Sequence, residues 1–153
     1  MATIRHRVLI DAPVAKVYEA LSTAAGISTW WDQQTAIQTD CGLVLEHNPG
    51  PKHGVVKLRV VELVPNERVE WECISTHPAS SPASAWTATH FIFEIAGSDN
   101  IASAASNLSP MRATTLDFCQ AGYDERSEFF EFNKSAWAEV LENLAKTVES
   151  QRS

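Results

Sequence analysis

Several patterns that would assign a chemistry at once are missing from this sequence. It has no glycine-rich phosphate loop and no Gly-x-Ser-x-Gly elbow, so neither a nucleotide-binding loop nor a serine hydrolase site is indicated. Its five histidines have no His-Glu-x-x-His or His-x-His spacing, and no cysteine lies beside them in a zinc pattern. We therefore expect no metal, no cofactor and no catalytic residue of a recognisable kind.

The chain also has little positive charge and no long hydrophobic run. Lys and Arg total 12 against 19 Asp and Glu, which gives a net charge of -7. Because phosphate binding needs a basic face, nucleic acid is not an expected partner. The first residues lack the apolar run of a signal peptide, and no segment is long and apolar enough to predict a membrane span.

Cysteine is scarce and unevenly spaced. Cys41, Cys73 and Cys119 lie far apart, form no Cys-x-x-Cys pair and are odd in number. Such usage is typical of a reduced intracellular protein rather than a disulfide-stapled one. We expect a cytoplasmic location.

Apolar residues alternate with period two over most of the chain, which is typical of strands with one buried face. The pattern predicts strands at 4–10, 35–39, 43–47, 55–64, 68–74, 87–95 and 112–120. Between Val60 and Val61 the apolar residues change face, which predicts a bulge or a strong bend. The composition of 76–85 and 97–110 is typical of irregular loops, and the second connection is long enough to predict either a mobile segment or an insertion.

Helical periodicity is limited to the two ends of the sheet pattern. It predicts a short helix at 14–22 and a second helical piece at 27–31. A long amphipathic helix is predicted from Asp124 to Ser150, with its apolar stripe at Trp137, Leu141 and Leu144. Neither the strands nor this helix can bury its apolar face alone, so we expect one α+β domain over 1–153, a curved antiparallel sheet of six or seven strands around the helix.

In this order of elements the chain resembles the SRPBCC, or START-like, superfamily of helix-grip domains. Within it, the chain is most similar to the branch named after activators of the heat-shock-protein ATPase. The matching residues are Ala12, Pro13, Val17, Tyr18, Leu21, Trp30, Trp31, Val60, Glu62, Pro65, Val69, Trp71, Gly122, Trp137, Leu141 and Leu144. The resemblance implies a ligand cavity between the sheet and the N-terminal half of the long helix.

Strand alternation and helical spacing predict which side chains of the strands and the long helix line that cavity, and Trp30 and Trp31 are expected near its opening. The predicted ligand-binding residues are Trp30, Trp31, Trp71, Phe91, Phe93, Leu116, Phe118, Gln120, Phe129, Asn133 and Trp137. Asn133 is polar on an apolar face and needs a partner, which is either a strand side chain such as Gln120 or a ligand. His47 and His53 flank a Pro-Gly turn and are expected in an exposed hairpin.

The leading hypothesis is that the protein binds a hydrophobic or amphipathic small molecule, lipid-like or polyketide-like, without catalysing a reaction. The resemblance leaves two alternatives. One is a cyclase or dehydratase that uses Asn133, Gln120, Arg112 or Thr114 on a bound aromatic substrate. The other is an interaction protein whose partner is a chaperone ATPase or a second copy of itself.

Overall fold

The computed structural model describes residues 2–50, 53–97, 113–124 and 126–150. The strands are β1 (Ala2–Asp11), β2 (Thr35–Thr39), β3 (Gly42–His47), β4 (Val56–Val64), β5 (Arg68–Cys73), β6 (His90–Gly97) and β7 (Ala113–Tyr123). The helices are α1 (Val14–Ser22), α2 (Ala24–Ile27) and α3 (Phe130–Ser150), with a 3₁₀ turn at Pro82–Ala85. The seven strands of the described residues form one antiparallel sheet in the order β1-β7-β6-β5-β4-β3-β2. The predicted α+β helix-grip fold is confirmed.

The long helix starts later than predicted. It begins at Phe130 rather than at Asp124. The Ser127 backbone N–H donates to the Asp124 carbonyl at 3.0 Å, and the Phe129 N–H donates to the Ser127 hydroxyl at 3.2 Å. These turn bonds take up backbone donors that a helix would otherwise use, so the helix forms only after them.

The predicted irregularity in β4 is confirmed. Its pairing with β5 shifts register between Val60 and Glu62. Beyond the shift, Val61 and Leu63 turn to the outer face, where they are 38% and 39% exposed. Such a bulge increases local twist and lets the long strand bend around the core.

Polar bonds fasten α3 to the rest of the fold. Asn143 donates to the Trp30 carbonyl at 2.7 Å, and the Asp11 backbone N–H donates to a Glu149 carboxylate oxygen at 2.9 Å. The buried residues of α3 are Asn133, Trp137, Leu141, Leu144, Ala145 and Val148. They include the predicted stripe of Trp137, Leu141 and Leu144, and the helix packs along β1.

A close approach between α1 and α2 sets the position of the two adjacent tryptophans. A side chain at Gly26 would place its Cβ 2.2 Å from the Glu19 carbonyl oxygen, so only glycine fits there. The second helical piece is Ala24–Ile27, earlier than the predicted 27–31. The Trp30 indole then donates to the Ala20 carbonyl at 2.7 Å, which holds Trp30 in the core and leaves Trp31 beyond it.

Arg112 and most of the 97–110 connection lie outside the described residues. Among the described residues, no helix is both long and apolar enough to span a bilayer. Cys41, Cys73 and Cys119 are free thiols.

Candidate functional site

A cavity of about 260 Å³ lies where the N-terminal half of α3 faces the ends of β3 and β4 and the 3₁₀ turn. Its lining residues are Trp31, Asp32, His47, Pro49, His53, Val56, Pro82, Ala83, Trp86, Phe132, Asn133, Ala136, Trp137 and Val140. Most of these side chains are apolar. The polar exceptions are two histidines, one carboxylate and one amide.

Three tryptophans form the aromatic wall of the cavity. The ring centroid of Trp31 lies 5.2 Å from that of Trp137 and 6.1 Å from that of Trp86. The wall is continuous with the buried core, because Trp31 stacks on Trp71 at 6.3 Å and Trp137 stacks on Phe118 at 4.6 Å. A rigid wall of this kind offers a ligand a large apolar surface at little entropic cost.

His47 is the most deeply placed titratable group of the cavity. It is 5% exposed, and its Nδ1 lies 3.1 Å from the amide oxygen of Gln34. Burial lowers the pKa of His47 to about 4, because desolvation penalises the imidazolium more than the nearby Asp32 carboxylate stabilises it. The side chain is therefore neutral at pH 7. The prediction of an exposed hairpin is wrong for His47. His47 lies two residues after Leu45 on β3, so its side chain is on the same inward face of the strand.

Asn133 is 2% exposed and bridges two elements. Its amide nitrogen donates to the Pro82 carbonyl at 3.2 Å and to the Tyr123 hydroxyl. These bonds supply the partner that the sequence requires, but it is not Gln120. Gln120 instead donates to the Thr89 hydroxyl at 2.9 Å.

The segment before the 3₁₀ turn is tied down, although its composition predicts a loose loop. Ser81 Oγ lies 2.6 Å from His53 Nδ1, and the His77 ring bonds the His53 carbonyl at 2.6 Å through Nδ1. The Ser75 hydroxyl reaches the other nitrogen of His77 at 2.8 Å. This network holds one side of the cavity in place. Among the described residues, no group of three or more potential ligands is arranged to hold a metal ion.

The structure divides the predicted site residues into three sets. Trp31, Asn133 and Trp137 line the cavity. Trp30, Trp71, Phe91, Phe93, Leu116, Phe118 and Gln120 are buried in the core. Phe129 lies on a different surface depression, beside Ser127 and Gly122.

Thr114 and Arg112 are the other two polar candidates that the sequence suggests. The Thr114 hydroxyl donates to the Ala12 carbonyl at 2.6 Å and is fully buried. Arg112 is outside the described residues. Of the four polar candidates, Asn133 alone is among the described residues that line the cavity.

Sequence reasoning missed Asp32, His47 and Trp86. For His47 the sequence did carry a signal: it lies two residues after Leu45 on the same strand, so the two side chains share the inward face. Trp86 follows a segment without periodicity, and Asp32 follows the tryptophan pair in a turn, so neither carried a signal of its own.

The model of the Activator of Hsp90 ATPase homolog 1-like protein family matches residues 11–149. No curated protein sequence matches the chain. The fold is similar to the solution structure of the Aha1 dimer from Colwellia psychrerythraea, with a TM-score of 0.73 and 23% identity over 97% of each chain. It is also similar to protein MLL2253 from Mesorhizobium loti, with a TM-score of 0.70 and 17% identity over 97% of this chain and 98% of that one.

A third similar structure is DynU16, a putative protein in the dynemicin biosynthetic locus. Its TM-score is 0.64 and its identity 18%, and the match covers 98% of this chain and 48% of that chain. At such identities the structural likeness concerns the fold.

Proposed function

This chain belongs to the Activator of Hsp90 ATPase homolog 1-like protein family, and we propose that it binds a hydrophobic or amphipathic small molecule between α3 and the sheet. The observation that carries the proposal is the cavity itself. Its walls are mostly apolar and aromatic, and a few polar groups converge on it, which is the usual composition of a small-molecule site.

The size of the cavity limits the ligand. About 260 Å³ is just below the roughly 300–1,000 Å³ that is common for drug-sized ligands. The volume therefore favours a compact molecule, such as one or two rings or a short acyl chain, over a two-chain lipid. A small polyketide-like aromatic fits this limit better than a membrane lipid does.

Ligand binding also has a direct effect on stability. An apolar cavity without an occupant lacks packing contacts, and this lowers the free energy of unfolding. A ligand at a hundred times its dissociation constant raises that free energy by about 2.7 kcal/mol. Thermal stability is therefore a readout of binding that needs no assumption about chemistry.

Native mass spectrometry of the purified protein and thermal shift against compact aromatics, short-chain acids and polyketide-like compounds test the proposal. We expect a ligand from the aromatic group to raise the melting temperature and to give a one-to-one complex. If no compound does either, and no ligand copurifies, the binding function is rejected.

One observation favours an enzymatic alternative of the cyclase or dehydratase type. His47 Nε2 lies 3.9 Å from a carboxylate oxygen of Asp32, and both side chains line the cavity. A neutral imidazole there is able to accept a proton from a bound substrate. Turnover of an aromatic substrate, lost in His47→Gln while the fold and binding persist, would establish this function; binding without turnover would reject it.

A chaperone ATPase partner, a second copy of the chain and a cytoplasmic location stay predictions. Size-exclusion chromatography with light scattering tests the second copy. A mass of two chains at micromolar concentration is the expected result for a dimer, and a mass of one chain contradicts it.

A further inference from the structure

The hydrogen-bond partners of His47 fix which of its two ring nitrogens carries the proton. The Gln34 amide nitrogen donates to the Asp32 backbone carbonyl at 2.8 Å, and a carbonyl can only accept. The Gln34 amide oxygen therefore faces His47 Nδ1, 3.1 Å away, and that nitrogen must carry the hydrogen. In a neutral imidazole, Nε2 is then an acceptor.

The acceptor His47 Nε2 lies close to a second hydrogen-bond acceptor, the carboxylate of Asp32. His47 Nε2 is 3.9 Å from Oδ2 of Asp32, whose side chain is half exposed at the edge of the cavity. A lone pair and a carboxylate at this distance repel each other unless a hydrogen-bond donor lies next to both. A ligand O–H, N–H or ammonium group at this point would satisfy the pair.

The same reasoning fixes the orientation of Asn133. Its nitrogen must face the Pro82 carbonyl, and its two hydrogens serve that carbonyl and the Tyr123 hydroxyl. The carbonyl oxygen of Asn133 has no hydrogen-bond partner among the residues that the structure describes. Because Asn133 is 2% exposed and lines the cavity, this oxygen is a third acceptor for a bound molecule.

The donors around the same space are few and neutral; among the described residues they include the indole N–H of Trp31, which has no hydrogen-bond partner and is not enclosed. Within the described part of the chain, no lysine or arginine lines the cavity. The indole N–H groups of Trp86 and Trp137 are enclosed and lack accessible surface, so they do not face it. His53 takes either role, since the Ser81 hydroxyl is able to donate to its Nδ1 or accept from it.

We infer that the cavity selects a compact aromatic or aliphatic ligand that carries hydrogen-bond donors and no negative charge. Phenols, alcohols and primary amines meet this requirement, whereas carboxylates and simple ethers do not. A carboxylate would meet the Asp32 charge, two neutral acceptors and no cationic side chain. The inference rests on the proposed binding function and specifies the polar chemistry of its ligand.

Four probes with one para-propylphenyl body separate these chemistries. They are the phenol, the benzylamine, the methyl ether and the benzoate, titrated by calorimetry at neutral pH into the wild-type protein. We expect the phenol and the benzylamine to bind about tenfold or more tightly than the ether and the benzoate. The apolar contact is nearly constant across the set, so the differences report the polar contacts.

Asp32→Asn is the decisive variant, because Asp32 is half exposed and its replacement keeps the shape of the side chain. It removes one charge and adds a donor at the cavity edge. The benzoate should gain about tenfold in affinity and the benzylamine should lose a similar factor. Asp40→Asn removes the same charge at an exposed position away from the cavity and should change neither.

The outcomes separate this inference from the function on which it rests. Equal binding of the four probes, or tighter binding of the benzoate, overturns the donor requirement and leaves small-molecule binding intact. Unchanged discrimination in Asp32→Asn also overturns it. If none of the four probes binds, both the inference and the binding function fail for compact ligands.

Discussion

The two halves of α3 are parts of one helix with different surroundings. In the C-terminal half, Leu141, Leu144 and Val148 are almost fully buried. In the N-terminal half, Phe132, Asn133, Ala136, Trp137 and Val140 border the cavity. The C-terminal half is packed against protein, whereas the N-terminal half borders a space that protein side chains do not fill.

This difference separates stability from binding. Burying a leucine side chain completely contributes roughly 1.5–3 kcal/mol, and the C-terminal half gains this at successive turns. Around the cavity the apolar surface lacks part of its packing partners. Substitutions in the C-terminal half should therefore change mainly the free energy of unfolding, and substitutions in the N-terminal half should change mainly the affinity for the ligand.

The largest effect is expected for Leu144→Asp in the packed half. Leu144 has no exposed surface, so the variant would bury a carboxylate without a partner. We expect a loss of about 4 kcal/mol or more, enough to unfold a marginally stable domain. Circular dichroism and urea denaturation measure it. Ala138→Asp introduces the same charge on the exposed face of the helix and should leave the fold intact.

The second largest effect is a pH dependence of the free energy of unfolding, and it comes from His47 in the cavity. The pKa of His47 is about 4 in the folded protein against 6.5 as its ordinary value. The unfolded chain therefore binds more protons between these values, and the free energy of unfolding falls as the pH drops through this range. We expect a loss of about 2 kcal/mol from this group between pH 7 and pH 5.

Urea denaturation at the two pH values compares the wild type with His47→Gln. The glutamine does not titrate, so its stability should change by about 2 kcal/mol less over the same interval. Equal slopes in the two proteins would mean that folding does not shift the pKa of His47, and the effect of its burial would be wrong.

Much of the fold could be predicted because its signals are local and periodic. Trp137, Leu141 and Leu144 recur at helical spacing, and the face change after Val60 marks the bulge. The start of α3 could not be predicted from the apolar pattern. It depends on turn bonds of Ser127, which periodicity does not record.

The cavity could be predicted only in part. Asn133 and Trp137 follow from helical spacing, and Trp31 follows from its expected place near the opening, but spacing does not distinguish a core side chain such as Phe93 from a cavity wall. His47 and Trp86 line the same cavity from distant parts of the chain. Their placement depends on how far the sheet bends and on where the 3₁₀ turn docks, and neither is encoded in a single local pattern.

A cavity-filling variant sharpens the comparison between the halves. Ala136 lines the cavity, so Ala136→Phe should occupy part of the space that a ligand needs. We expect the affinity for the para-propylphenol probe to fall about tenfold or more, with stability unchanged or raised. Calorimetry and thermal denaturation measure the two quantities. Ala138→Phe adds the same ring on the exposed face and should leave affinity unaltered; equal losses in both variants would contradict the site.

The smallest expected effect concerns two phenylalanines at the start of α3. The structure separates them, because Phe132 borders the cavity and is 60% exposed, whereas Phe129 lies on another depression before the helix. Phe132→Ala should lower affinity about fivefold, or roughly 1 kcal/mol, and leave stability nearly unchanged because little of its surface is buried. Phe129→Ala should leave affinity unchanged. Calorimetry with the same probe compares them, and a larger loss for Phe129 would move the binding site away from the cavity.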